Sequence, residues 1–167
     1  MILQNLTLKN PKNPLIYVID TSTSYQKIIQ SCLAALNYHN INVFGSTGEC
    51  LLAKGSPDII ILDNNLGKNH LSGIEFFRIY RKKYQTAHFL FLSSNTNLDI
   101  AVNAMKLGAY DYILKSKLGL ERLIERVDKL VNVYRNDLRR KIFQRATLLS
   151  LGIVGLIFIA AIIFYTH

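Results

Sequence analysis

Short apolar runs alternate along the chain with segments in which apolar residues recur every three or four positions. The runs LIYVI and IIIL are apolar throughout, as expected of strands that are covered on both faces of a sheet. We predict five strands, at residues 15–19, 41–44, 59–62, 88–92 and 110–114.

The segments between these runs have the period of amphipathic helices. The second helix, at 47–54, is predicted to begin at Ser46 or Thr47, and the fourth to end at Gly108. The first helix is predicted to turn one apolar face to the core. This face consists of Tyr25, Ile28, Ile29, Cys32, Leu33 and Leu36.

Five strands and five helices in alternation predict an α/β fold, a doubly wound five-stranded parallel sheet of the flavodoxin-like type. Ligands of such sheets bind beyond the carboxyl ends of the strands. These ends carry two acids, Asp20 and Asp63, followed by the hydroxyl of Ser93 and the ammonium of Lys115. Each residue alone is compatible with a turn cap or a solvated side chain. As a set, they predict a functional crevice.

A run without any charged residue lies near the end of the chain. Residues 146–165 read ATLLSLGIVGLIFIAAIIFY, a length that matches a hydrocarbon core of about 30 Å. No proline or glycine interrupts residues 120–151, so the fifth helix, which begins near Leu118, is predicted to continue into this run. We expect a transmembrane helix. The alternative is a core helix of a larger globule.

The net charge of +9 is concentrated just before this run. Residues 135–145 contain five basic side chains and one acid, whereas the rest of the chain is mildly basic. Basic residues gather on the cytoplasmic side of membrane spans, near anionic lipid headgroups. We therefore expect a single-pass protein of the cell membrane with its N-terminal domain in the cytoplasm. The interleaved basic and aromatic residues of a nucleic-acid platform are missing, so nucleic acid is not expected as a partner.

The two cysteines do not point to a site. Cys32 and Cys50 lack the spacing of metal ligands or of a disulfide framework. We predict that both are small buried residues.

The residues at the strand ends resemble a known family. IYVIDTSTS, PDIIILDNNL followed by SGIEFF, FLFLSS and LGAYDYILKS are together similar to the receiver domain of response regulators in two-component signalling. The resemblance implies that Asp63 accepts a phosphoryl group from a histidine kinase or a phosphotransfer protein. It also implies that Ser93 and Lys115 bind the phosphoryl oxygens. Tyr112 would then reorient together with Ser93 as a switch.

The same resemblance implies a Mg²⁺ ion, which prefers oxygen ligands. Its ligands would be Asp63, Asp20 through a water, and the main-chain carbonyl of Asn65. Members of the family usually carry two adjacent acids after the first strand, whereas this chain has Asp20 followed by Thr21. The register of the first helix places the missing direct ligand at Thr21. We therefore expect weaker binding of Mg²⁺.

The loop after Asp63 also departs from the family pattern. It has two more residues before Gly73 than is usual, and Gly67 stands where a proline is expected. We expect the surroundings of Asp63 to be looser.

These features predict a membrane-tethered, single-domain response regulator that is not an enzyme. The resemblance implies that it would signal by protein contact through its fourth helix, fifth strand and fifth helix, a surface that could also form a homodimer. The alternative is a non-phosphorylated pseudo-receiver that acts as a membrane-anchored adaptor. The presence of Thr21 in place of an expected acid leaves this alternative open. The predicted parts are an extension at 1–13, a receiver-like domain at 14–134, a basic juxtamembrane helix at 135–145 and a transmembrane helix at 146–165.

Overall fold

The computed structural model describes residues 13–67, 71–83 and 85–166, apart from the side chains at 134, 137–139, 141, 154, 156–161 and 163–166. Strands and helices alternate along the chain, which divides into two units, Met1–Val131 and Asn132–His167. The elements are β1 (Ile16–Ile19), α1 (Thr23–Ala35), β2 (Ile41–Phe44), α2 (Thr47–Leu52), β3 (Ile59–Leu62), α3 (Gly73–Lys83), β4 (His88–Ser93), α4 (Leu98–Lys106), β5 (Asp111–Leu114) and α5 (Lys117–Thr166).

The five strands form one parallel sheet in the order β2-β1-β3-β4-β5. The strand order reverses at β1 and β3, which pair so that Ile19 lies beside Leu62. The residues that follow these two strands, Asp20 and Asp63, are therefore neighbours at the carboxyl edge of the sheet. The predicted α/β fold of flavodoxin-like type is confirmed.

Aromatic side chains fix α3 against the sheet. The Phe77 ring lies 4.4 Å from the Phe89 ring and 5.6 Å from the Phe91 ring, measured between centroids. All three side chains are buried, and burial of a side chain of this size contributes about 1.5–3 kcal/mol. The cluster holds the beginning of α3 next to the loop that follows β3.

Side-chain oxygens mark the beginnings of the helices. Ser46 Oγ accepts a hydrogen bond from Glu49 N at 3.2 Å, which makes Ser46 and not Thr47 the N-cap of α2. At α3, Ser72 N donates to Glu75 Oε2 at 2.9 Å, and Glu75 N donates to Ser72 Oγ at 3.3 Å. The Ser72 backbone bond, followed by its hydroxyl bond, lowers the pKa of Glu75.

The apolar face predicted for α1 is wrong in part. Ile29 and Leu33 are buried, but Ile28 is 42% exposed, and Cys32 is only partly buried. Residues four apart lie on one side of a helix, and only the side of Ile29 and Leu33 meets the core. Cys50 is buried as predicted, and burial raises the pKa of its thiol to about 12.

In the first unit, α5 packs with a regular stripe. Leu123, Val127 and Val131 are buried at intervals of four residues, which is the spacing of one helix face. Leu118, in the first turn of the helix, is instead 76% exposed.

In the second unit, the described apolar side chains of α5 are exposed. Leu148 is 70% exposed and Leu151 is 67% exposed. Within the part of the chain that the structure describes, no helix is both long enough and apolar enough to span a membrane. The span predicted at 146–165 includes 154, 156–161 and 163–165, whose side chains lie outside the described residues.

Candidate functional site

Side chains from three strand ends meet at the carboxyl edge of the sheet. Lys115 Nζ lies 2.7 Å from Asp20 Oδ2 and 2.6 Å from Asp63 Oδ2. The backbone positions them, because Asp63 N donates to Ile19 O and Lys115 N donates to Ser93 O, both at 2.9 Å. None of the three charged side chains is more than 8% exposed. Their attraction is therefore screened by little water.

The second oxygen of each carboxylate is held by the main chain. Asp20 Oδ1 accepts a hydrogen bond from Ser22 N at 2.8 Å, and Asp63 Oδ1 accepts one from Asn65 N at 2.9 Å. Both are turns in which an aspartate bonds to the backbone two residues further on. All four carboxylate oxygens thus have a donor, and the two Oδ2 atoms share Lys115.

An aromatic ring lies against the ammonium of Lys115. Its Nζ is 4.7 Å from the centroid of the Tyr25 ring, in the first turn of α1. Burial acts to lower the pKa of Lys115, but the hydrogen bonds and charges of Asp20 and Asp63 together outweigh it, so this pKa is raised. Lys115 is therefore a fixed positive charge at neutral pH.

Ser93 and Tyr112 are linked through the loop between β4 and α4. Ser93 is fully buried, and its Oγ accepts a hydrogen bond from Asn95 N at 3.2 Å. The Tyr112 ring stacks on Phe91 with centroids 5.8 Å apart, and its hydroxyl donates to Asn95 O at 3.0 Å. One loop residue, Asn95, therefore connects the two predicted switch residues.

The beginning of α3 lies directly against the loop that follows Asp63. A Cβ atom on Gly73 would be 2.7 Å from Asp63 O and 2.7 Å from Asn64 Cα, so a larger residue does not fit without movement. Gly67 has a φ of 90°, a left-handed conformation that proline cannot adopt. Residues 68–70 lie outside the described residues, and the looseness expected of this loop stays a prediction.

Residues 16–128 match the family model of the response regulator receiver domain. The chain belongs to this family. The matched range contains all five strands and the three charged side chains of the site, and the predicted resemblance is confirmed.

This receiver domain has similar relatives in several bacteria. A putative NtrX-like response regulator of Rickettsia bellii is 26% identical, over 81% of this chain and 29% of the relative. The nitrogen assimilation regulatory protein NtrX of Azorhizobium caulinodans is 31% identical, over 54% of this chain and 19% of the relative. The chain thus spans less than a third of the length of these curated relatives.

A solved structure shows the same fold. The structure of NtrX from Brucella abortus is similar with a TM-score of 0.66 and 22% identity, over 78% of this chain and 29% of that chain. At this level of identity the likeness concerns the fold.

Receiver domains as a family bind Mg²⁺ at the acidic pocket that Asp20 and Asp63 form here. In this chain, however, Thr21 occupies the position where the family usually has a second acid, and it is exposed. Among the described residues, no group of three or more acidic, histidine or cysteine side chains is arranged to hold a metal ion. The two carboxylates and the Asn65 carbonyl are oxygen ligands of the kind that Mg²⁺ prefers, but Lys115 is bound to both carboxylates, so weak binding is expected. The ligand set of Asp20, Asp63 and the Asn65 carbonyl stays a prediction.

Sequence reasoning missed several residues that build the site. Gln26 Nε2 donates to Asp20 O at 2.5 Å and to Phe44 O at 3.4 Å, which ties the end of β1 to α1 and β2. The apolar period predicts Tyr25 on the core face of α1, whereas its ring contacts Lys115. Asn95 gave no signal in the sequence, because its hydrogen bonds to Ser93 and Tyr112 use its backbone atoms.

Proposed function

We propose that this receiver domain accepts a phosphoryl group on Asp63 from a histidine kinase or a phosphotransfer protein. The observation that carries the proposal is the buried contact of 2.6 Å between Lys115 Nζ and Asp63 Oδ2. A fixed ammonium at the acceptor oxygen stabilises negative charge that is added there.

The residues suit the chemistry of this transfer. An oxygen of the Asp63 carboxylate attacks the phosphorus of a phosphohistidine on the donor. A P–O bond forms, the P–N bond breaks, and the departing nitrogen keeps its electron pair. The product is an acyl phosphate on Asp63. Lys115 and the hydroxyl of Ser93 would bind its crowded oxygens.

The output of the domain would be a change in protein contact, without action on an external substrate. Tyr112 lines a surface cavity of about 380 Å³ between α4, β5 and α5. Leu98 and Leu118 also line it, and they are 74% and 76% exposed. Phosphorylation would shift the balance between two conformations of this surface, which would dock a partner or a second copy.

The membrane tether is part of the proposal. It is supported by the sequence of residues 146–165, which contains no charged residue, and by the basic residues at 135–145. The helix α5 extends from Lys117 through Thr166 and includes both segments. The receiver domain would lie in the cytoplasm, with the basic segment near anionic headgroups.

A second function, favoured by Thr21, is that of an adaptor which is not phosphorylated. The site has two carboxylates and a lysine that partners both, so each acid has a positively charged partner without a metal ion. Such a domain would act at the membrane by binding alone.

Phosphotransfer from autophosphorylated histidine kinases to the full-length protein distinguishes the two functions. We expect label on the wild type and on Asp99→Asn, a matched control in the exposed first turn of α4. Asp63→Asn should remain unlabelled. Label that persists in Asp63→Asn would refute Asp63 as the acceptor, and a wild type that no kinase labels would favour the adaptor.

A further inference from the structure

A surface cavity of about 320 Å³ lies between α3 and the end of α4, outside the residues assigned to phosphoryl transfer. Its apolar wall is formed by Phe77 and by Leu107, the C-cap residue of α4. The other lining residues in the described part of the chain are all basic, namely Arg78, Arg81 and Lys82. The volume is that of a small-molecule site, and such sites combine apolar walls with a few placed polar groups.

The guanidinium of Arg81 is held in place at this cavity. Its Nη1 donates to Gly108 O at 2.9 Å, and its Cζ lies 5.8 Å from the centroid of the Phe77 ring. These two contacts restrict the side chain before any ligand arrives, so less freedom is lost when a ligand binds. A guanidinium carries five N–H donors in a planar fork that matches the two oxygens of a carboxylate. Arg81 is therefore prepared to bind a planar anion.

The basic residues of the cavity repel one another. Arg78 precedes Arg81 by three residues and Lys82 by four, and these spacings bring side chains together on one side of a helix. The dipole of α3 favours cations in its last turn, which accounts for Arg81 and Lys82 but not for Arg78. Glu75, the one acid of α3, is bonded through Oε2 to Ser72 at the beginning of the helix. An anion bound in the cavity would relieve the repulsion.

We propose that this cavity binds a small organic carboxylate with an aromatic body. The ring of the ligand packs between Phe77 and Leu107. Its carboxylate accepts hydrogen bonds from the Arg81 guanidinium, beside the charges of Arg78 and Lys82. The site selects molecules that have both parts, because a neutral ring leaves the cations uncompensated and a bare anion leaves the apolar wall in water. The inference requires neither phosphoryl transfer nor the membrane tether.

Fluorine NMR of para-fluorophenylacetate tests the site with the full-length protein in mild detergent, without Mg²⁺ and with detergent alone as the blank. We expect the fluorine resonance to shift and broaden with a dissociation constant on the order of 1 mM, as for a ligand of few atoms. Para-fluorophenylacetamide, which has the same ring and no charge, should bind about tenfold more weakly. Phenylacetate should displace the probe, whereas acetate at the same concentration should not. Equal binding of the acid and the amide, or no binding of either, would overturn the proposal.

Variants of exposed side chains locate the bound probe. Arg78→Gln and Lys82→Gln each remove one exposed charge of the cavity, and each should weaken binding about threefold, since exposed charges contribute little individually. Lys27→Gln removes an exposed charge from α1 and should leave the affinity unchanged. Arg81→Lys keeps the charge but loses the planar fork, so it should also bind the probe more weakly. If Arg78→Gln and Lys82→Gln bind the probe as tightly as Lys27→Gln, the carboxylate binds elsewhere and the assignment of this cavity fails.

Discussion

Lys115 Nζ lies 2.6 Å from Asp63 Oδ2, although the two residues are 52 positions apart in the chain. The parallel sheet produces this contact, because β3, β4 and β5 are successive neighbours and all end at the same edge. Removing one partner of a buried ion pair leaves an uncompensated charge. Loss of either side chain should therefore lower the stability of the domain as well as change the chemistry of the site.

The close approach of Gly73 to the acceptor loop predicts a stability effect. In Gly73→Ala, the new Cβ would meet Asp63 O and Asn64 Cα at 2.7 Å, so the backbone must shift. We expect a loss of about 1–3 kcal/mol in the free energy of unfolding. Gly48→Ala is a matched control, since its nearest contact would be Ser46 Oγ at 3.8 Å. Urea unfolding of both variants checks this, and equal midpoints would contradict it.

The partly buried His88 predicts a pH dependence of stability. Burial, and to a lesser extent the charge of Arg81, lowers the pKa of His88 to about 4. An unfolded histidine titrates near about pH 6.5, so neutral His88 contributes stability that is full above that pH and is lost as the pH falls towards 4. Between roughly pH 7 and pH 5 we expect a loss of about 2 kcal/mol that His88→Gln does not show. Unfolding free energies that fall in parallel for both proteins would rule this out.

Membrane anchoring by residues 146–165 predicts how the protein fractionates. An inserted apolar helix resists high salt and alkaline carbonate, whereas binding through the basic segment alone is released by salt. We expect the full-length protein to stay in the membrane pellet under both treatments, and a variant without residues 146–167 to be soluble and folded. Release of the full-length protein by salt would leave only electrostatic binding at the surface.

Replacing Thr21 with an acid should strengthen Mg²⁺ binding at the site. Thr21→Asp adds a third carboxylate next to Asp20, so Mg²⁺ should bind about tenfold more tightly and labelling of Asp63 should become faster. Without metal, repulsion among the carboxylates should lower the thermal midpoint, and Mg²⁺ should restore it by mass action. Thr23→Asp, at the exposed beginning of α1, adds the same charge as a control. An unchanged Mg²⁺ response in Thr21→Asp would mean that residue 21 does not face the site.

The strands could be predicted because burial on both faces leaves a continuous apolar run. β2 and β3 have the predicted limits, while β1 and β5 begin one residue later and β4 ends one residue later. The face of α1 could not be predicted as well. Its rotation is decided by packing against the core, which leaves Ile28 exposed although it fits the apolar period.

The residues of the site could be predicted to meet, because topology alone brings the ends of β1, β3 and β5 to one edge. The bridging of both carboxylates by Lys115 could not. It depends on the side-chain conformation of Lys115 and on the ring of Tyr25, and both are set by tertiary contacts that leave no periodic signal in the sequence.

The claim that Asp63 accepts a phosphoryl group is tested most directly by incubating the full-length protein with a small acyl phosphate donor and Mg²⁺. Mass spectrometry of the digested protein then locates the added group. We expect one phosphoryl group on Asp63 that is stable in acid and removed by hydroxylamine, as an acyl phosphate should be. A wild-type protein that takes up no phosphoryl group, or one that carries it on another residue, would contradict the claim.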